Sequence, residues 1–293
     1  MNSARPSVRR CLAPLDGCVG TARELLLDAG LAIRRLEDGD REDLWRHAAA
    51  LHPGPLDPTI ADPEAWEFAI DHRRHSESPG PRDDARANVA IRDVIRALRL
   101  HHPGLAGVRI LWIGAGDRRT RGDRGTLVAL DGIDAEPHRT GPACHLDPHS
   151  GADLRRLLAA LRGSRGRHLA RVLGRFDAGY AKESPEDRLI DLWIALEELV
   201  LPDGGDEPRH RAALRLACLL GERPEERAAI FELATRSHDR RRQIPRPAGD
   251  AAALDELVEA TRDLARRALR ARLLDPPAEG VLGLDRRLFE QPG

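Results

Sequence analysis

The chain has 293 residues, 41% hydrophobic and 32% charged. Those proportions exclude a disordered polymer and allow one large domain or two ordinary ones, each with a real core. Its net charge is −1, so the chain as a whole carries no nucleic-acid signature and any such contact has to come from a local patch.

Aromatic residues make up only 3%, so the core is expected to be aliphatic, a palette that suits helices better than sheets. Thr21 to Leu36 reads as a helix, with Leu25, Leu26, Ala29, Ala32, Ile33 and Leu36 on one side. Asp40 is placed to cap a short helix through Trp45 and Leu51. Leu51 to Asp62, with Pro53, Pro55 and Pro58, reads as a loop. Glu64 to Ile70 fits a helical turn or a strand equally, and His72 to Asp84 is polar and reads as a further loop. Asp84 to His101 is a stronger helix, with Val89, Ile91, Val94, Ile95 and Leu98 at helical spacing and Pro103-Gly104 as its stop. Val108 to Ile113 and Thr126 to Leu130 read as two strands of a hairpin with a long polar loop, and Gly132 to Ser150 as a connector.

From Asp153 onward helical periodicity is dense. Leu154, Leu157, Leu158 and Leu161 mark one helix, and His168 to Phe176 continues after a break at Gly163-Ser164. Ser184-Pro185-Glu186-Asp187 is the best-defined helix start: a capping Ser, a Pro at the first helical position and an acid three residues after the cap. The helix it opens carries Leu189, Leu192, Trp193, Leu196, Leu199 and Val200. Further helices run from about Glu207 to Leu220 and from Pro224 through Ala228, Ile230, Phe231 and Ala234. Asp250 is expected to cap the last, whose stripe runs from Leu254 to Leu269 and which Pro276-Pro277 ends. The expected fold is mainly α: a mixed α/β region over residues 1–150, then a helical bundle over 151–293.

The four cysteines, Cys11, Cys18, Cys144 and Cys218, are scattered without a CxxC pair, as in a reduced cytoplasmic protein. No signal-peptide stretch follows Arg9 and Arg10, and no segment approaches a membrane span, so no membrane partner is expected. Lys182 is the only lysine, and biased codon usage accounts for an arginine excess of this kind.

The string Glu183 to Glu197, ESPEDRLIDLWIALE, together with Arg175-Phe176 upstream, resembles the ApeA-like HEPN domains of bacterial RNA-targeting proteins. Arg211 to Glu222, Pro224 to Leu233 and Leu284 to Leu288 resemble further stretches of that family, so the likeness covers about Arg175 to Leu288. It implies a helical bundle, a homodimer in which two motif helices meet, and metal-independent RNA cleavage through the ribose 2′-hydroxyl. The family's motif is an Arg and, four to six residues on, a His. Here Arg241 falls on the motif arginine and Arg246 on the catalytic histidine, and no histidine follows His238 anywhere in the chain.

Such cleavage needs a base for the 2′-hydroxyl and a cation for the phosphate charge of the transition state. Arginine supplies the second and cannot supply the first, because it stays protonated. Losing a general base typically costs about 10²–10⁴-fold. Arg236, Arg240, Arg241, Arg242 and Arg246 nevertheless lie within about three helical turns, offset by Asp239. They fit a phosphate-gripping patch, or equally a solvated arginine-rich turn. His238 is the remaining candidate base. Glu197 reads either as the partner of Arg241, which the resemblance implies, or as an exposed acid beside Glu198. In the cluster of His138, Cys144, His145, Asp147 and His149, His145 and His149 stand four apart as helical metal ligands do, but Pro148 lies between them and no second ligand pair is regularly spaced, and Gly114-Ala115-Gly116 lacks the third glycine and the helix of a dinucleotide turn.

The leading expectation is therefore an RNA-binding HEPN protein with impaired or absent ribonuclease activity, in a phage-defence or toxin–antitoxin setting with a cognate partner. It calls for no cofactor and no metal. Two others stand beside it: an active endoribonuclease with a non-standard base, and a dimeric protein-interaction scaffold.

Overall fold

The computed structural model describes residues 7–42, 44, 66–76, 81–104, 106–108, 110–115, 126–129, 142–204, 207–243, 251–277, 280 and 283–284. Two compact units divide the chain, Met1–Leu158 and Ala159–Gly293. The architecture is mainly helical, with strands confined to the first unit.

Alternation governs the start of the chain. The first unit is built on β1 (Ser7–Leu15), β3 (Glu24–Asp28), β4 (Leu31–Arg35), β5 (Phe68–Ser76), β6 (Ile110–Ala115) and β7 (Thr126–Ala129), ordered β3-β4-β5-β1-β6-β7 with every pair antiparallel. A short parallel pair joins β2 (Cys18–Gly20) to β8 (Cys144–Leu146), with Cys18 and Cys144 in register and both thiols free and buried. Helix α1 (Pro81–His101) packs on β5.

Thr21 to Leu36 is thus a hairpin and not a helix. Leu25 and Leu27 turn inward while Glu24, Leu26 and Asp28 face out, a period of two that the helical spacing of the same leucines conceals. The reversal between the strands sits at Gly30, whose φ is +75°, and a Cβ there would stand 2.2 Å from the Arg73 carbonyl oxygen.

Of the segment Glu64 to Ile70, Phe68 to Ile70 are strand, opening β5, while Glu64 and Ala65 lie outside the described residues. The expected loop from His72 fails for a different reason. His72 to Ser76 belongs to β5, and its polarity reflects a charged cluster on the sheet. Asp71 accepts from Arg10 Nη2 at 2.8 Å, Arg34 Nε at 2.7 Å and Arg73 Nη2 at 3.0 Å, two arginines from the neighbouring strands β1 and β4 and one from β5 itself. Burial pushes the Asp71 carboxyl up, but these bonds outweigh it and hold it well below the ordinary carboxylate range. Asp40 lies in a helical turn and pairs with Arg34 at 2.6 Å at the edge of this cluster. The same sheet face carries an apolar group of Leu12, Leu36, Leu44, Trp66 and Ala69.

The expected α1 begins at Pro81, earlier than Asp84, and Val89 is 59% exposed, off the buried stripe of Ile91, Val94, Ile95 and Leu98. In the stretch expected to be a connector, β8 forms and Asp147 caps α2 (Ser150–Arg162), accepting from the Ser150 amide at 2.8 Å. The expectations for Trp45 to Leu51, Leu51 to Asp62, residues 116–125 and the Asp250 cap lie outside the described residues.

The second unit contains α3 (Ser164–His168), α4 (Ala170–Ala181), α5 (Pro185–Val200), α6 (Pro208–Leu220), α7 (Pro224–Gln243) and α8 (Ala251–Leu274). Ser184 caps α5 by accepting from the Asp187 amide, with Pro185 at the first position. Helix α5 packs against α4, α6, α7 and α8, which explains why Leu189, Leu192, Trp193, Leu196, Leu199 and Val200 are all buried. Its last turn is closed by the fully buried Arg215, which donates to the Val200 carbonyl at 2.7 Å and to Asp203 Oδ1 at 2.8 Å. Ala228 is exposed, contrary to its expected inward placement, while Ile230 and Ala234 are buried. Among the described residues no helix is long and apolar enough to cross a membrane.

Candidate functional site

The carboxy-terminal half of α7 meets the middle of α5 through polar and aromatic contacts. On α5, Trp193 and Glu197 lie one turn apart on one face. On α7, Ala234, Ser237, His238 and Arg241 share the face turned toward them. Trp193 Nε1 donates to Ser237 Oγ at 3.2 Å, and Ser237 Oγ donates to the Ala234 carbonyl at 3.2 Å. The His238 ring meets Trp193 edge-on, with centroids 4.9 Å apart.

One carboxylate oxygen organises the rest. Glu197 Oε1 lies 2.8 Å from Arg241 Nη1 and 3.3 Å from His238 Nε2. Burial pushes the Glu197 carboxyl up, but the contacts with His238 and Arg241 prevail and leave it below its ordinary value. Glu197 is therefore ionised at neutral pH and engaged on two sides. Its neighbour Glu198 pairs with Arg171 at 2.9 Å, so the two glutamates have separate partners.

His238 is only 6% exposed, and its Nδ1 is buried without a hydrogen-bond partner. A general base has to reach the proton it removes, within about 3 Å or through one water. A ring held by Trp193 on one side and Glu197 on another presents no open nitrogen to a ribose.

The remaining arginines do not join Arg241. At 3.6 residues per turn, Arg236 and Arg240 lie about 40° apart, while Arg241 is about 140° from Arg236. Arg236 and Arg240 instead line a groove of about 700 Å³ on the other side of α7, with Phe231, Leu233, Asp239 and Leu257 of α8. Asp239 is engaged by Arg209 of α6 at 2.5 Å. Glu232 also lines the groove, so its character is amphipathic with arginines at one end. Arg242 is exposed, and Arg246 lies outside the described residues.

Sequence reasoning missed Trp193 and Ser237 as parts of this site. The available signal is Trp193 standing four residues before Glu197 on an otherwise aliphatic helix face. Of the other constellations, His145 is exposed, Asp147 serves as the α2 cap and His138 lies outside the described residues. Among the described residues no group of three or more His, Cys, Asp or Glu is placed to hold a metal ion. His101 Nδ1 contacts Asp153 Oδ2 at 2.6 Å, a local tie at the end of α1.

Comparison of the chain with protein-family models, with curated proteins and with solved structures returned no match.

Proposed function

We propose that this chain is an ApeA-like HEPN protein of the cytoplasm that binds RNA, with its metal-independent ribonuclease activity impaired or absent. The observation that carries the reading is the state of His238. The one histidine near the motif arginine is packed on Trp193 and engaged by Glu197, while Arg246 takes the position of the motif's base. There remains a helix end with Arg236, Arg240 and Arg242 directed away from the bundle interior, able to grip phosphates without titrating. A role in phage defence or beside a cognate antitoxin, and assembly as a homodimer, belong to the same proposal.

The test is fluorescence anisotropy with a labelled single-stranded RNA in chelator. With about three phosphates engaged, affinity should fall roughly tenfold or more between 50 and 200 mM salt. The double variant R236A/R240A should weaken binding about tenfold at the lower salt. Binding that ignores both salt and the double variant would remove the proposal.

The groove favours a second reading, a protein-interaction scaffold. Phe231, Leu233 and Leu257 give it apolar walls that RNA backbone does not require. A variant such as Leu233→Gln separates the two: it should spare RNA affinity and abolish a groove-bound protein contact. The third reading, an active nuclease using His238, requires the ring to leave both Trp193 and Glu197.

A further inference from the structure

A second concave site lies in the same unit, at the far end of α8. Ser164, Arg165, His168, Leu169, Arg272 and Pro276 line an open pocket of about 400 Å³. Along α8 the fifteen residues between Leu257, in the α7 groove, and Arg272 correspond to about 22 Å. The two sites are therefore distinct.

The lining carries two guanidinium groups, an imidazole and a hydroxyl, and no carboxylate. Arg165 is already placed: its Nη1 donates to the carbonyls of Leu273 and Leu274 at 3.1 and 3.5 Å, which close the end of α8. Arg272 stands one residue earlier on that helix. Its Nε is buried without a hydrogen-bond partner, and burial alone pulls the guanidinium below its ordinary value. A partly desolvated cation with no anion beside it among the described residues is a costly arrangement. An anion in the pocket sets a counter-charge beside the Arg272 guanidinium and meets the exposed Arg165 as a second cation.

We propose that this pocket binds the phosphoryl group of a small phosphate monoester, with Arg272 and Arg165 on the phosphate oxygens and Leu169 and Pro276 against the rest of the molecule. Size argues for an ester over bare phosphate, since about 400 Å³ falls within the range of small-molecule sites. Shape agrees: the apolar walls of Leu169 and Pro276 have nothing to do for an inorganic ion. Arginine is matched to such a ligand because its planar fork meets two phosphate oxygens at once. Ser164 and His168 add a hydroxyl and a ring nitrogen at the rim.

The proposal stands apart from the RNA reading, and isothermal titration of the full chain keeps them separate. The probes are adenosine 5′-monophosphate, adenosine and inorganic phosphate. The monophosphate should bind, adenosine should bind at least about tenfold more weakly, and phosphate should compete with the monophosphate. Arg272→Gln should weaken the monophosphate about tenfold or more. Arg165→Gln, at an exposed position, should do the same and decides the matter if the Arg272 variant does not fold. R236A/R240A should leave this binding unchanged. No heat from the monophosphate at millimolar concentration, equal binding of adenosine, or full affinity in Arg165→Gln would each overturn the proposal.

Discussion

Asp71 receives three arginine side chains, and two of them, Arg10 and Arg34, are only 10% and 11% exposed. Replacing it with alanine leaves those two cations with Asp40 as their shared carboxylate, 2.6 Å from Arg34 and 4.0 Å from Arg10. Asp71→Ala should therefore lower unfolding stability by about 3–5 kcal/mol in urea titrations, far more than a surface substitution. The same carboxylate predicts a pH dependence. Its folded-state value lies below the ordinary 3.8, so its contribution is complete above that value and is lost as pH falls below it. Wild-type urea midpoints should drop as pH falls below about 4, and Asp71→Ala should flatten that drop. Glu197 is a milder case, because its two contacts are charged hydrogen bonds at a half-buried site. Glu197→Gln should cost about 1.5–3 kcal/mol by the same titration and leave RNA affinity unchanged, since Arg236 and Arg240 do not touch it.

Among the secondary-structure elements, the caps and turns carry the most testable local energy. Ser184→Ala removes the acceptor for the Asp187 amide at the start of α5 and should cost about 1 kcal/mol, read from chemical denaturation. Gly30→Ala should cost more, because both the +75° φ and the nearby Arg73 carbonyl oppose a Cβ. These two sites also show what the sequence makes legible. Ser184-Pro185 announces its helix through cap chemistry that depends only on neighbours in the chain. The β3–β4 hairpin does not, because Leu25, Leu26, Ala29, Ala32 and Ile33 satisfy a helical spacing as well as an alternating one. Only the Asp28-Ala29-Gly30 turn distinguishes them. Strand β5 is hidden for another reason: Asp71 and Arg73 make it look like a loop until Arg10 and Arg34 arrive from other strands. The site on α7 is half legible. The pairing of Glu197 with Arg241 is implied by the family likeness, and the separation of Arg236 and Arg240 from Arg241 comes from 3.6 residues per turn. The burial of His238 against Trp193 depends on how α5 and α7 meet, which no local pattern encodes.

For the whole molecule, a net charge of −1 means that any grip on RNA is local and opposed by the rest of the surface. Binding should accordingly be moderate and strongly salt-dependent, with its determinants at the end of α7. In the proposed reading, RNA at that end would meet Arg236, Arg240 and Arg242 and would not reach the buried His238 ring. The most direct measurement is the fate of a fluorophore–quencher RNA held at neutral pH in chelator with excess protein, with binding tracked by anisotropy in the same sample. The account predicts a raised anisotropy and an RNA that stays whole. Rapid, chelator-resistant cleavage that disappears in His238→Ala would contradict it.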